Sequence, residues 1–334
     1  MSVTSLWADE RIYYPLDFEP YTPADYFAQG KQDPQFRTKL KIAVELVRRA
    51  VQAKIAFRAV VADAFYGEDR GFKQGLGDLK LGYVLALKPS HAWWHPQEEI
   101  GSFQEAAQEA GWRSAEQAGR WVKVTRTFRD GSQQEWWALE LDIRPFGPDK
   151  PERVVIATTD PATLPELTTV YLLTNLPAPS SVRAQDSRLA AASLEEIVRL
   201  YGLRMWVEQS YKQVKYALGW SEYQVRSDRA IRRHWQLVCC AFSFCWYHQT
   251  HPALAAPASA PAQEPFAAQP ALNDATRETR VRGKKGARHV RTTSAHLAAS
   301  ATSRASMAGA LGLAQTLLAS VVSTAPTAPT PAAP

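Results

Sequence analysis

Two short stretches of alternating apolar and polar residues open the chain. Val3 to Trp7 and Arg11 to Phe18 predict a β-hairpin around a turn at Asp9 and Glu10. After a loop carrying Pro20, Pro23 and Pro34, the period lengthens. Arg37 to Ala53 reads as a helix with Leu40, Val44, Val47 and Val51 on one face. Phe57 to Ala62 is a short Val-rich run that predicts a buried strand ending at Asp63. A helix around Phe72 to Leu79 and a strand at Tyr83 to Leu87 complete an α/β pattern.

Beyond Pro89 the pattern changes to alternating Trp, Val, Thr and charged residues. Arg120 to Phe128, Gln134 to Leu141, Arg153 to Thr158 and Tyr171 to Thr174 predict antiparallel strands, that is, a β-rich insertion. A helix is expected to start at Ser193, an N-cap with Glu195 and Glu196 in its first turn, and to run almost to Lys215 before breaking near Gly219. Past His251 the chain turns to Ala, Pro, Thr and Ser, and all 11 tryptophans lie before that point. Such a composition buries little and predicts disorder. Its abrupt onset also suggests a frame-shifted translation, which the nucleotide sequence read in other frames would test. The expected organisation is residues 1–88 as the first part of the core, 89–190 as the insertion, 191–250 as a helical second part and 251–334 as the tail.

Composition adds limits. In 334 residues, 46% of them hydrophobic, there is enough apolar surface for a real core. The net charge of +6 is compatible with a nucleic-acid partner without establishing one. Cys239, Cys240 and Cys245 sit in an apolar stretch, lack a fourth ligand at zinc spacing, and fit a reduced intracellular protein. The start has no basic region and apolar core of a secretion signal. Met307 to Val322, interrupted by Gln315 and Ser320, is short for a membrane span, so no membrane partner is expected.

The candidate chemistry is concentrated in Tyr201, Arg204, Glu208 and Lys215. On one continuous helix these offsets fall within an arc of about 60°. Charged residues at helical spacing usually form only a solvated face. Here Met205, Trp206, Val207, Val214 and Leu218 interleave with them, and one carboxylate among three phosphate-seeking groups suits a metal-bound phosphodiester site. Asp63 supplies a second carboxylate at a strand end, a place where Asp also serves as an ordinary turn residue. A further basic run in the tail, from Arg277 to Arg291, could touch DNA phosphates, although a solvated segment is the plainer reading.

The spacing Tyr-x2-Arg-x3-Glu-x6-Lys, with Val-Val-Ala-Asp-Ala-Phe-Tyr-Gly around Asp63 and the stretch from Gln224 to His234, resembles the DDE transposases of bacterial insertion sequences bearing the Tyr-Arg-Glu-Lys signature. The resemblance covers Val3 to His248. It implies a ribonuclease H-like fold with a β-rich insertion, an Asp, Asp and Glu triad, and DNA cleavage and strand transfer at transposon ends with two Mg2+ ions. It assigns Asp63 and Glu208 as catalytic, metal-binding residues. It places Tyr201, Arg204 and Lys215 on the DNA backbone, with Arg226 and Arg233 as further DNA contacts. DNA, both transposon ends and target, and a homodimer that pairs two ends are the implied partners, in the bacterial cytoplasm.

One departure stands out. The family's first aspartate lies on a strand before the hairpin with which this sequence opens, and neither Asp9 nor Asp17 replaces it by position. The expectation is a copy lacking its first strand and inactive alone. The alternative is a non-catalytic DNA-binding or regulatory remnant using Arg204, Lys215, Arg226, Arg229, Arg232 and Arg233. A two-carboxylate glycosidase would leave the Tyr, Arg and Lys beside Glu208 unexplained.

Overall fold

The computed structural model describes residues 2–94, 100–127, 131–141, 152–250 and 319–322. The chain opens with β1 (Ser2–Ala8) and β2 (Tyr13–Pro20), the expected hairpin, with Val3 opposite Glu19 and Ala8 opposite Tyr13. Two single 3-10 turns, Ala24–Tyr26 and Gly30–Gln32, lead to α1 (Lys39–Gln52), which Thr38 caps by accepting the Lys41 amide. Then come β3 (Ala59–Ala62), α2 (Ala64–Gly67), α3 (Arg70–Asp78) and β4 (Tyr83–Leu87), with β3 and β4 parallel.

A small pair, β5 (Ala92–Trp94) and β6 (Ile100–Ser102), and α4 (Phe103–Gln108) precede β7 (Val122–Thr127), β8 (Gln133–Leu141), β9 (Arg153–Thr158) and β10 (Thr169–Thr174). These last four are antiparallel and extend the main sheet beyond β4. After α5 (Arg183–Asp186) the chain forms α6 (Leu194–Gly202), α7 (Met205–Ala217) and α8 (Asp228–Thr250). A last strand, β11 (Ala319–Val322), returns to the sheet. Among the described residues the sheet has nine strands in the order β2, β1, β11, β3, β4, β10, β9, β8, β7.

Strand alternation divides the core between two faces. Val60, Ala62, Leu85 and Leu87 pack with Ile42, Leu46 and Val47 of α1 and Phe72 and Leu76 of α3. Ala59, Val61, Val84 and Ala86 pack on the other side with Ile197, Val198 and Leu200 of α6. A third cluster joins Leu6, Tyr13 and Phe18 of the hairpin to Val207, Tyr211 and Val214 of α7 and Trp235, Phe242 and Trp246 of α8. A mixed α/β molecule with a multi-strand sheet is what the sequence predicted.

The apolar face expected for α1 is displaced. Ile42, Ala43, Leu46, Val47 and Ala50 are the buried positions, whereas Val51 is exposed. Leu40 and Val44 flank the buried stripe, and Val44 packs so closely on α3 that a Cβ at Gly75 would lie 2.9 Å from it. The tail expected to be disordered, including its basic run, lies outside the described residues except for β11. No helix among the described residues is long and apolar enough to cross a membrane.

Candidate active site

Asp63 owes its position to the end of β3. Four consecutive buried residues bring the chain through the sheet, and Asp63 then caps α2 by accepting the Phe65 amide at 3.0 Å. Such a cap stabilises a helix start by about 1 kcal/mol. The following turn lies against β4, where a Cβ at Gly67 would come within 1.9 Å of the Ala86 carbonyl oxygen. Only glycine fits that approach, so Gly67 helps fix the place of the cap and its carboxylate.

The glutamate arrives from the other half of the chain. The single helix expected from Ser193 to near Lys215 is instead two, because the chain tightens between Gly202 and Arg204. Amides of Leu203, Arg204, Trp206 and Val207 bond to carbonyls three residues back, the tighter spacing of a 3-10 turn. Arg126 of β7 donates to the Gly202 carbonyl at 3.1 Å, and glycine is the weakest helix former at that point apart from proline. Ser193 does cap α6, accepting the Glu196 amide at 3.1 Å. Tyr201 thus belongs to α6, Arg204 stands at the start of α7, and Glu208 lies in its first turn.

Aromatic and polar contacts seat α7 on the hairpin. Trp206 stacks on Tyr13 with ring centres 4.7 Å apart, the Tyr211 hydroxyl lies 2.6 Å from Thr4 Oγ1, and the Tyr13 hydroxyl donates to Gln213 Oε1 at 2.7 Å. The hairpin therefore sets the height of Glu208 above the sheet.

Four of the expected residues come together. Arg204 Nη2 donates to Glu208 Oε1 at 3.0 Å, and its guanidinium carbon lies 5.9 Å from the centre of the Tyr201 ring. Asp63 lies within electrostatic reach of both Arg204 and Glu208. Burial raises the Asp63 pKa, with Arg204 and the Phe65 and Tyr66 amides opposing and Glu208 adding to the rise. Burial also works against the Arg204 charge, but Tyr201, Glu208 and Asp63 outweigh it and raise that pKa. Tyr201 is raised by burial and held protonated as a hydrogen-bonding hydroxyl. The result is a cation between two carboxylates, one desolvated and one exposed.

Other predicted residues lie farther out. Lys215 is two helical turns, roughly 10 Å, beyond Glu208, with its ammonium 5.3 Å from the Tyr211 ring centre. Arg226 and Arg233 are exposed, on the connection before α8 and in its first turns. Arg232 is committed elsewhere, to Glu19 at 2.7 Å and to Asp228 at 2.7 Å. Asp9 accepts the Arg11 and Ile12 amides in the hairpin turn, and Asp17 pairs with Arg49 at 3.2 Å. Neither belongs to the carboxylate group.

Sequence reasoning missed Arg126, whose guanidinium lies 5.2 Å from the Trp136 ring centre and holds the carbonyl at the helix break. An arginine in an alternating strand carries no mark of that role. It also missed the fully buried Tyr66, whose hydroxyl has no hydrogen-bond partner among the described residues and feels both Asp63 and Tyr211.

With that geometry in place, the likenesses to known proteins are specific. Residues 2–138 match the model of the DDE superfamily endonuclease family. The chain is also 29% identical over 214 residues to the probable transposase for insertion sequence element IS701 of Microchaete diplosiphon, an alignment covering 64% of this chain and 47% of that protein. The chain spans about half the length of the curated relative it matches. The family match contains Asp63 and stops before Glu208, so the convergence of the two carboxylates is an independent observation.

Proposed function

We propose that this chain is the catalytic core of an insertion-sequence DDE transposase with a ribonuclease H-like fold, and that it binds DNA but does not cut it by itself. The observation that carries the reading is the meeting of Asp63, at the end of β3, with Glu208 and Arg204 from α7. In this reading Asp63 and Glu208 are the metal-binding carboxylates, and Tyr201, Arg204, Lys215, Arg226 and Arg233 face the DNA backbone. Residues 1–88 and 191–250 form the core around an 89–190 insertion, and two copies pair two DNA ends in the bacterial cytoplasm.

DDE endonucleases are metal-dependent, generally on Mg2+, and the cations supply charge stabilisation at the phosphodiester. The donors present here do not fit a two-ion centre. Two carboxylates converge, one of them already paired with Arg204, and no group of three or more His, Cys, Asp or Glu among the described residues is placed to hold a metal. In the ribonuclease H-like arrangement the third carboxylate would come from a strand between β1 and β3. That place is held by β11, whose sequence Ala-Ser-Val-Val offers no acid. The chain's own residues are left to bind and orient the phosphate backbone, with Arg204 poised to exchange a carboxylate oxygen for a phosphate oxygen.

The same geometry gives the regulatory reading its support, since Arg204, Lys215, Arg226 and Arg233 need no metal to contact DNA. Duplex binding measured by mobility shift across a salt series tests the proposal. Wild-type binding should weaken steeply with salt, and replacing both Arg226 and Arg233 by Ala should lower the slope of log affinity against log salt by about 2. Glu208→Gln should leave the slope unchanged. Binding insensitive to salt, or to loss of both arginines, would contradict the assignment of this face to DNA.

A further inference from the structure

The hairpin and the parallel part of the sheet are one strand place apart. β1 and β3 share no ladder, and β11 lies between them. It runs antiparallel to β3, with Ala319 opposite Ala62, Ser320 opposite Val61, Val321 opposite Val60 and Val322 opposite Ala59. It runs parallel to β1, but there the register joins only Trp7 to Val321 and Ala8 to Val322. The two edges are therefore served unequally, four residues on one side and two on the other.

Both edges are costly to leave unpaired. All four residues of β3 are 0% exposed, and six of the seven residues of β1 are buried. Buried amides and carbonyls need partners, and a bare strand edge pairs with whatever extended chain can reach it. Besides β11, the Trp7 indole links the hairpin to the approach to β3, donating to the Ala56 carbonyl at 3.1 Å.

We propose that the gap between β1 and β3 is a strand-binding groove, and that the tail segment Ala319–Val322 is its ligand, bound in cis. Main-chain hydrogen bonds supply the binding, the mode by which an extended peptide adds to a sheet edge. The tail thereby becomes a latch that closes the sheet beside Asp63, since Ala319 pairs with Ala62. This inference is independent of the DNA reading, because it concerns backbone pairing alone.

The test uses the full chain with Val60→Cys and Val321→Cys. The Val60 amide donates to the Gly82 carbonyl on the β4 side, so positions 60 and 321 form a non-hydrogen-bonded antiparallel pair, where Cβ atoms approach most closely. Mild oxidation and peptide mapping should give a disulfide joining positions 60 and 321 within one monomer. A disulfide between two chains, or linkage of either position only to Cys239, Cys240 or Cys245, would overturn binding in cis. A second variant covers poor folding of the first. Ser320→Pro removes an amide of the β3 ladder, because positions 61 and 320 form the neighbouring hydrogen-bonded pair, and should speed hydrogen exchange at Ala59 and Val61, which alternation turns toward β11, by about tenfold or more. Val60 should stay protected by Gly82. Unchanged exchange at Ala59 and Val61 would overturn the proposal.

Discussion

Asp63 does two jobs that pull against each other. Its side chain caps α2, which favours a polar acceptor, and its burial disfavours the charge on that acceptor. A carboxyl whose folded pKa lies above its unfolded value holds its proton more tightly when folded. Its contribution to stability is then present below the ordinary value of 3.8 and is lost as pH rises through the raised one. Asp63→Asn keeps the cap without the charge and should raise the melting temperature at pH 7 and leave it unchanged at pH 3. Asp63→Ala loses the cap and should cost about 1 kcal/mol. Thermal unfolding of the two variants at both pH values checks the pair, and a destabilised Asn variant at pH 7 would show that Asp63 is not held against its charge. Sequence spacing made Asp63 legible because a Val-rich run ends there. It could not show Arg126 at the helix break, because an arginine in an alternating strand does not depart from an ordinary strand pattern.

At the level of elements, one buried acid ties the hairpin to α1 and α8. Glu19 of β2 is 4% exposed and accepts from Arg232 of α8 at 2.7 Å and from Arg37, just before α1, at 2.5 Å, with Arg49 of α1 at 3.5 Å. Burial alone would raise its pKa, but the hydrogen bonds from Arg232 and Arg37 outweigh it and hold the carboxyl at about 2. The sign is the reverse of Asp63. Glu19 stabilises the fold above its ordinary value of 4.5, and that contribution disappears as pH falls through about 2. Glu19→Gln should cost on the order of 2 kcal/mol at pH 7, less than a fully buried pair because the arginines are partly solvated. The melting-temperature gap from wild type should close as pH is lowered from 5 toward 2, and a gap independent of pH would refute the ion-pair account. The elements themselves were largely readable, from the hairpin to the Ser193 cap. The break between α6 and α7 was not, because it depends on a carbonyl at Gly202 claimed by Arg126 from a strand 76 residues away. Tyr201 and Glu208 therefore face each other across a tight turn, without sharing one continuous helix.

At the scale of the molecule, the alternation of strand and helix signals up to Leu87 and the antiparallel strands after it predicted the α/β class. Strand order was beyond periodicity, since the return of a tail segment between β1 and β3 rests on pairing over more than 250 residues of chain. Among the described residues this order brings two acids together without a third. β3 delivers Asp63, the hairpin seats α7 and so Glu208, and the strand lying between them carries no carboxylate. The most direct measurement incubates the purified chain with Mg2+ and a labelled duplex containing the DNA that flanks its own gene, reading binding and cleavage in the same reaction. A salt-sensitive complex with uncut DNA is the predicted result. Cut or joined DNA that disappears with Glu208→Gln would contradict the account, because it would mean that the Asp63 and Glu208 pair suffices for catalysis.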